Sequence, residues 1–170
     1  PDRVQAYRKN VPVHEIIILL AFAVVGTFIH LHLLRYSMPV FSPGESDRHV
    51  LQAIQISKGE LTGNEGGGRG VRPGYAYFLS QVAGRADWDM SAVTTAQGIL
   101  FSISLTLVGL AVTRLINSWI LGPVLVLAFI SPPVIWVSRH IGVESLTTTL
   151  WLLGLSAFLF QWQREKWQKW

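Results

Sequence analysis

Long apolar stretches with very few charged residues alternate with polar segments along this chain of 170 residues. A helix needs about 20 mostly apolar residues to cross the hydrocarbon core of a bilayer, and four stretches reach or approach that length. Lipid offers no partner to unpaired backbone groups, and no barrel-like alternation is visible, so each stretch is predicted to be a helix. The predicted transmembrane segments cover residues 15–36, 92–114, 118–138 and 141–162.

The segment between the first two apolar stretches, residues 37–91, has helical patterning of its own. Ser46 or Asp47 is placed to cap a first helix, which is expected to end at Gly59. Pro73 opens a second helix, whose apolar residues recur at helical spacing: Tyr75, Phe78, Leu79 and Val82. The predicted fold is an all-α membrane protein: four transmembrane helices, with two short amphipathic helices on the membrane surface in the first outer loop.

The composition agrees with a membrane protein and excludes several function classes. Only 14% of the residues are charged, against about a quarter in a typical soluble domain. The absence of cysteine excludes disulfides, thiolate metal sites and thiol catalysis. No basic stripe with interleaved aromatic residues is present, so nucleic acid is not an expected partner.

The distribution of basic residues predicts the orientation in the membrane. Most of those near the ends of the apolar stretches fall on one side of a four-span chain: Arg3, Arg8, Lys9, Arg114, Arg164, Lys166 and Lys169. Arg139 is the only basic residue in the short loop on the other side. The positive-inside rule assigns that side to the cytoplasm. Residues 1–14 and the tail 163–170 are therefore predicted to be cytoplasmic and the loop 37–91 external. The expected location is the bacterial inner (plasma) membrane.

Three pieces of the sequence, in this order and topology, resemble the GT-C glycosyltransferases. They read "ESDRHVLQAIQISKGEL" from Glu45, "VRPGYAYFL" from Val71 and "SPPVIWVSRHIGVESL" from Ser131. These integral-membrane enzymes, among them aminoarabinose and protein mannosyl transferases, take a sugar from a polyprenyl-phosphate carrier. The resemblance covers roughly residues 16–161. It concerns only the N-terminal part of such enzymes, which have many more spans, and their "RPP" motif reads Arg72-Pro73-Gly74 here.

The resemblance implies two catalytic acids. Asp47, or alternatively Glu45, matches the essential acid of the first outer loop, and Glu144 occupies a place comparable to a second acid. A carboxylate there is suited to take the proton of an acceptor. The residues alone leave other interpretations open, since Asp47 also suits a helix cap. Glu144 also suits an interfacial residue paired with Arg139 or His140.

Phosphate binding is the second predicted activity of the outer loop. Arg69 and Arg72 lie beside a glycine cluster, where guanidinium groups and backbone N–H groups can hold a phosphate. A solvated glycine-rich turn is the alternative. Glu45 is a further candidate for substrate binding, or else a solvated side chain.

No metal site is predicted, because neither His49 nor His140 belongs to a recurring ligand spacing. The cofactor stays open, with a divalent metal as an option at the departing phosphate. His30 and His32 fall on different faces of one helix, and His30 is expected to be a helix-packing or interfacial group.

Two functions of different class follow. The first is a GT-C-like module that transfers a sugar from a polyprenyl-phosphate donor to an acceptor at the outer membrane face, expected if the chain continues beyond residue 170. The second is a non-catalytic structural or accessory subunit of a larger membrane complex. The expected partners are the lipid bilayer, a lipid-linked sugar donor and other membrane subunits.

Overall fold

The structure, a computed structural model, describes residues 13–42, 44–60, 73–116 and 121–168. Its helices, in chain order, are α1 Val13–Arg35, α2 Glu45–Ser57, α3 Pro73–Val82, α4 Met90–Ile116, α5 Leu121–Ile130, α6 Pro132–Arg139 and α7 Val143–Gln168. A 3₁₀ turn, Gly84–Ala86, follows α3. Two short strands complete the fold, β1 Val40–Phe41 and β2 His140–Ile141. The predicted helical class is confirmed, and the strand pair is an addition to it.

Three helices are long and apolar enough to cross a membrane: α1, α4 and α7. The pair α5 and α6 passes the same criterion only when both are taken as one span, and it is bent by 53°. The described part of the chain thus has three membrane-type helices, or four with the bent pair. The third predicted segment, 118–138, is two helices instead of one.

Two prolines explain the bend. In an α-helix the carbonyl of residue i accepts a hydrogen bond from the N–H of residue i+4, and proline has no N–H. Pro132 and Pro133 therefore cannot serve the carbonyls of Ala128 and Phe129. Ser131 serves the Ala128 carbonyl, through its backbone N–H at 3.2 Å and its hydroxyl at 2.8 Å. The helix stops there and restarts in a new direction.

Glycines allow close packing between α1 and α5. α1 lies against both α4 and α5, and α7 packs on α4. A side chain at Gly26 would overlap the Phe129 ring, and one at Gly122 would overlap the Phe22 ring. Close approach at small residues is the usual way helices associate in lipid, where no hydrophobic drive operates between them.

A buried apolar cluster lies where α1 and α6 end and α4 and α7 begin. There α2 and α3 pack on each other around Ala53, Tyr75 and Leu79, with Ile141 and Val143 in the same cluster. The strands β1 and β2 pair in parallel, Val40 with His140 and Phe41 with Ile141. This pairing joins the segment after α1 to the segment before α7.

Candidate functional site

A buried serine fastens the start of α2 to β2. The hydroxyl of Ser46 donates to the Ile141 carbonyl at 2.6 Å and accepts the Ser42 N–H at 2.8 Å. Ser46 is fully buried. These two bonds and the strand pair hold the two chain segments, about 95 residues apart, against each other.

The start of α2 corrects the predicted cap. The capping position is Gly44, with φ of 80°, a left-handed conformation that favours glycine. Neither Ser46 nor Asp47 occupies it, because α2 begins at Glu45 and both residues lie inside its first turn. The Ser46 hydroxyl bonds Ile141 instead. Asp47 lies three residues further on, and its carboxylate accepts the Gly44 N–H across a long 3.5 Å. This is the returning half of a capping box, and Asp47 remains exposed.

Glu144 lies in the first turn of α7, and its side chain is half exposed. Its Oε2 is 3.4 Å from Nε2 of His140, one of the two partners considered for it. The other, Arg139, instead donates two hydrogen bonds to the Met38 carbonyl, at 2.9 and 2.7 Å. Gly142 leaves room for this pair, since a side chain there would collide with Glu144 and the His140 ring.

Tyr75 is the buried centre of the site. Its hydroxyl accepts a hydrogen bond from Nε2 of Gln97 at 2.9 Å and another from the backbone N–H of Gly142. Burial raises the pKa of the Tyr75 phenol well above its usual range, the negative charge of Glu144 adds to the rise, and the two donated bonds oppose it. The phenol is therefore neutral at all ordinary pH.

His49 and Glu45, both on α2, lie on the other side of the Tyr75 ring from α4 and α7. The His49 ring is buried, lies edge-on to Tyr75 with ring centres 5.2 Å apart, and has Nε2 4.0 Å from the half-exposed carboxylate of Glu45. We call the polar cluster the set Glu45, His49, Tyr75, Gln97, His140 and Glu144. Its two carboxylates face solvent, and its rings and amide lie beneath them.

Most of the buried members of the polar cluster are not predicted from the sequence. The apolar spacing places Tyr75 on the apolar face of a helix, and Gln97 lies within the predicted transmembrane segment 92–114, where no motif marks it as a site residue. A neutral amide inside an apolar stretch is the one local signal that could have pointed to the cluster, because a buried amide needs a partner. Nothing near Tyr75 in sequence indicates that Gln97 and Gly142 meet its hydroxyl.

Three of the five predicted site residues lie in the described part of the chain. The structure joins the segments that carry Glu45, Asp47 and Glu144 through β1, β2 and Ser46. Arg69 and Arg72 lie outside the described residues. Within the described ranges no group of three His, Asp or Glu side chains is arranged to hold a metal ion.

No family model, curated protein or solved structure matches the chain. The likeness to GT-C enzymes therefore rests on the order and spacing of its motifs.

Proposed function

We propose that this chain is a GT-C-like membrane glycosyltransferase module, corresponding to the N-terminal portion of such enzymes. It would transfer a sugar from a polyprenyl-phosphate donor to an acceptor at the outer membrane face. One observation carries the proposal: the helix starts that bear Asp47 and Glu144 are joined by the β1–β2 pair at one end of an apolar bundle.

The position of the two carboxylates at the ends of long apolar helices supports the proposal. The phosphate of a polyprenyl carrier is confined to the headgroup layer, so a protein group that acts on it must lie at that level. α1 ends at Arg35 and α7 begins at Val143, and the two carboxylates of the polar cluster lie in the first turns of α2 and α7. Half-exposed carboxylates at such a boundary keep their hydration, which they would lose in the apolar core.

The proposed chemistry is a single displacement. The acceptor hydroxyl or amine forms a bond to the anomeric carbon of the sugar, and the bond between that carbon and the phosphate oxygen breaks. The electron pair leaves with the polyprenyl phosphate, and the acceptor proton passes to the Asp47 carboxylate. Glu144 and Glu45 frame the cleft and orient the substrates, and Arg72 with Arg69 neutralises the phosphate.

The membrane topology is part of the proposal. Both termini lie in the cytoplasm, α5 and α6 form one bent span, and α2 and α3 rest on the external surface of a bacterial inner membrane. The parallel pairing of β1 with β2 supports it, since it requires the ends of α1 and α6 to lie on the same side. The basic residues flanking the spans favour the cytoplasm for the other side.

Lipid analysis of cells tests this function and does not require the acceptor to be identified first. Cells that lack the protein should accumulate a sugar-loaded polyprenyl phosphate, detected by mass spectrometry, and cells with Asp47→Asn should accumulate the same lipid. Asp87→Asn is the matched control: Asp87 is exposed in the same outer segment at φ 48°, a conformation that Asn adopts equally well. An ordinary lipid profile with Asp47→Asn, at normal protein level, would favour the accessory subunit.

A further inference from the structure

His30 makes two long-range bonds inside the helix bundle. It lies on α1, is fully buried, and has Nδ1 2.9 Å from the carbonyl oxygen of Phe129 and Nε2 3.1 Å from Oγ of Ser138. A carbonyl can only accept, so Nδ1 carries the hydrogen. In the neutral ring Nε2 is then the acceptor for the Ser138 hydroxyl.

The carbonyl that His30 contacts is one that proline leaves without a helical partner. The Phe129 carbonyl would accept the N–H of residue 133 in a continuous helix, and that residue is Pro133. The neighbouring carbonyl of Ala128, left free in the same way by Pro132, is served locally by Ser131. The imidazole N–H thus stands where the missing backbone donor would act.

The two bonds of His30 also lie on opposite sides of the bend. Phe129 belongs to α5 and Ser138 to the last turn of α6. A single rigid ring therefore connects α1 to both arms of the bent pair. The residue after Ser138 is Arg139, which donates to the Met38 carbonyl, and β2 follows directly.

We propose that His30 is a positioning residue: it replaces the backbone donor that Pro133 lacks and sets the angle of the bend that the two prolines open between α5 and α6. Through the last turn of α6 it fixes the alignment of β2 on β1, and so the position of the His140–Glu144 pair. The bend does not depend on the proposed glycosyl transfer, and its test uses no ligand.

Combined substitutions in the full-length protein, in lipid nanodiscs, test the replacement. His30→Leu leaves the Phe129 carbonyl unpaired and should lower the midpoint of thermal unfolding by about 5 °C. Pro133→Ala supplies the N–H that a continuous helix would direct at that carbonyl, so the double variant should recover most of the loss. His30→Leu with Pro132→Ala is the matched control and should recover little, because Ser131 already bonds the Ala128 carbonyl.

A spin-label pair separates positioning from stability. The 170 residues contain no cysteine, so nitroxides can be placed at Val124 and Trp136, both exposed on the two arms. Every variant carries both labels, so the loss of the Trp136 ring is common to all. The His30→Leu, Pro133→Ala protein should be stable but less bent, because the new N–H reaches the Phe129 carbonyl only where the two arms come closer to one continuous helix. Pro132 remains and keeps part of the bend, so the mean label distance should be longer by up to about 2 Å.

Two results would overturn the proposal. Equal recovery by Pro132→Ala and Pro133→Ala would show that the lost bond is not the one proline removes. An unchanged label distance in the recovered double variant would show that His30 does not set the angle of the bend. If His30→Leu alone does not fold, the yield of folded protein replaces the unfolding midpoint as the measurement. Folded protein with Pro133→Ala but not with Pro132→Ala then supports the proposal, and folded protein with both or with neither contradicts it.

Discussion

At the scale of single residues, the site depends on a phenol that cannot easily ionise. Tyr75 is buried, and its hydroxyl oxygen accepts hydrogen bonds from Gln97 and from the backbone of Gly142. Both donors would be buried without a partner if that oxygen were absent, and an unmet buried donor costs more than the bond itself contributes. Tyr75 is thus a structural support beneath the two surface carboxylates.

Tyr75→Phe should therefore lower the free energy of unfolding by about 2 kcal/mol, because it strands two buried N–H groups. Tyr77→Phe is the matched control, since Tyr77 is exposed on the same helix, and it should change little. Chemical unfolding in detergent measures both. If the Tyr75→Phe variant is as stable as the control, water reaches the two N–H groups in place of the hydroxyl, and Tyr75 is not the structural support described here.

The raised pKa of Tyr75 also predicts a pH dependence. The folded protein holds the phenolic proton more tightly than the unfolded chain, whose tyrosines titrate near pH 10. The stabilising contribution of Tyr75 is complete below that pH and is lost as the pH rises toward the folded pKa. The difference in stability between the wild type and Tyr75→Phe should thus narrow above about pH 10. A constant difference up to about pH 11 would contradict the assignment.

At the scale of elements, local patterns account for the helices and long-range contacts account for their joins. The apolar stretches predict α1, α4 and α7, and apolar spacing predicts α2 and α3. The predicted cap of α2, Ser46 or Asp47, is wrong: Gly44 is the capping residue, and the hydroxyl of Ser46 bonds Ile141, which is distant in sequence. The strands β1 and β2 are two residues each, too short for any alternation to show.

The break between α5 and α6 has a local signal in the sequence. Consecutive prolines remove two helical donors in a row, which is a general reason for a helix to stop. The donor that replaces one of them, His30, could not be found from sequence, since only the fold brings α1 beside Phe129. The same limit applies to the polar cluster: the sequence predicts Glu144 as a site residue, but it does not predict Tyr75 or the Gln97 side chain that bonds the Tyr75 hydroxyl.

Ser46→Ala tests the join between α2 and β2. Removing the hydroxyl leaves the Ile141 carbonyl and the Ser42 N–H without their partner, so the start of α2 should detach more often. Amide hydrogen exchange in α2 should become about tenfold faster, as expected for the loss of about 1.4 kcal/mol of local stability. Ser57→Ala is the control, since that exposed hydroxyl bonds only within its own helix. Equal exchange in both variants would argue against the join.

At the scale of the whole molecule, the polar cluster lies at one end of the apolar helix bundle. The ends of α1 and α6 and the beginnings of α4 and α7 meet there, covered by α2 and α3. The long helices elsewhere expose apolar side chains such as Phe28, Leu150 and Phe158, as expected for surfaces that face lipid. The proposed function therefore requires that this end of the bundle lie at the external surface of the membrane.

The orientation can be measured separately from the function. Single cysteines at Gly67 and Gln168 fall in the predicted external loop and in the predicted cytoplasmic tail. A membrane-impermeant thiol reagent applied to intact cells should label the first and spare the second until the cells are opened. Labelling of Gln168 but not Gly67 would reverse the topology and place the polar cluster on the cytoplasmic side.

Binding of the carrier lipid tests the central claim most directly. Native mass spectrometry of the full-length protein should show retention of undecaprenyl phosphate over undecaprenol, which has the same chain without the phosphate. Arg72→Ala should abolish that preference, because the phosphate loses a guanidinium partner. Arg85→Ala should keep it, since Arg85 is exposed and bonds Gln81 on the neighbouring turn. Equal retention of the two lipids by the wild type, or equal loss in the two arginine variants, would contradict the account.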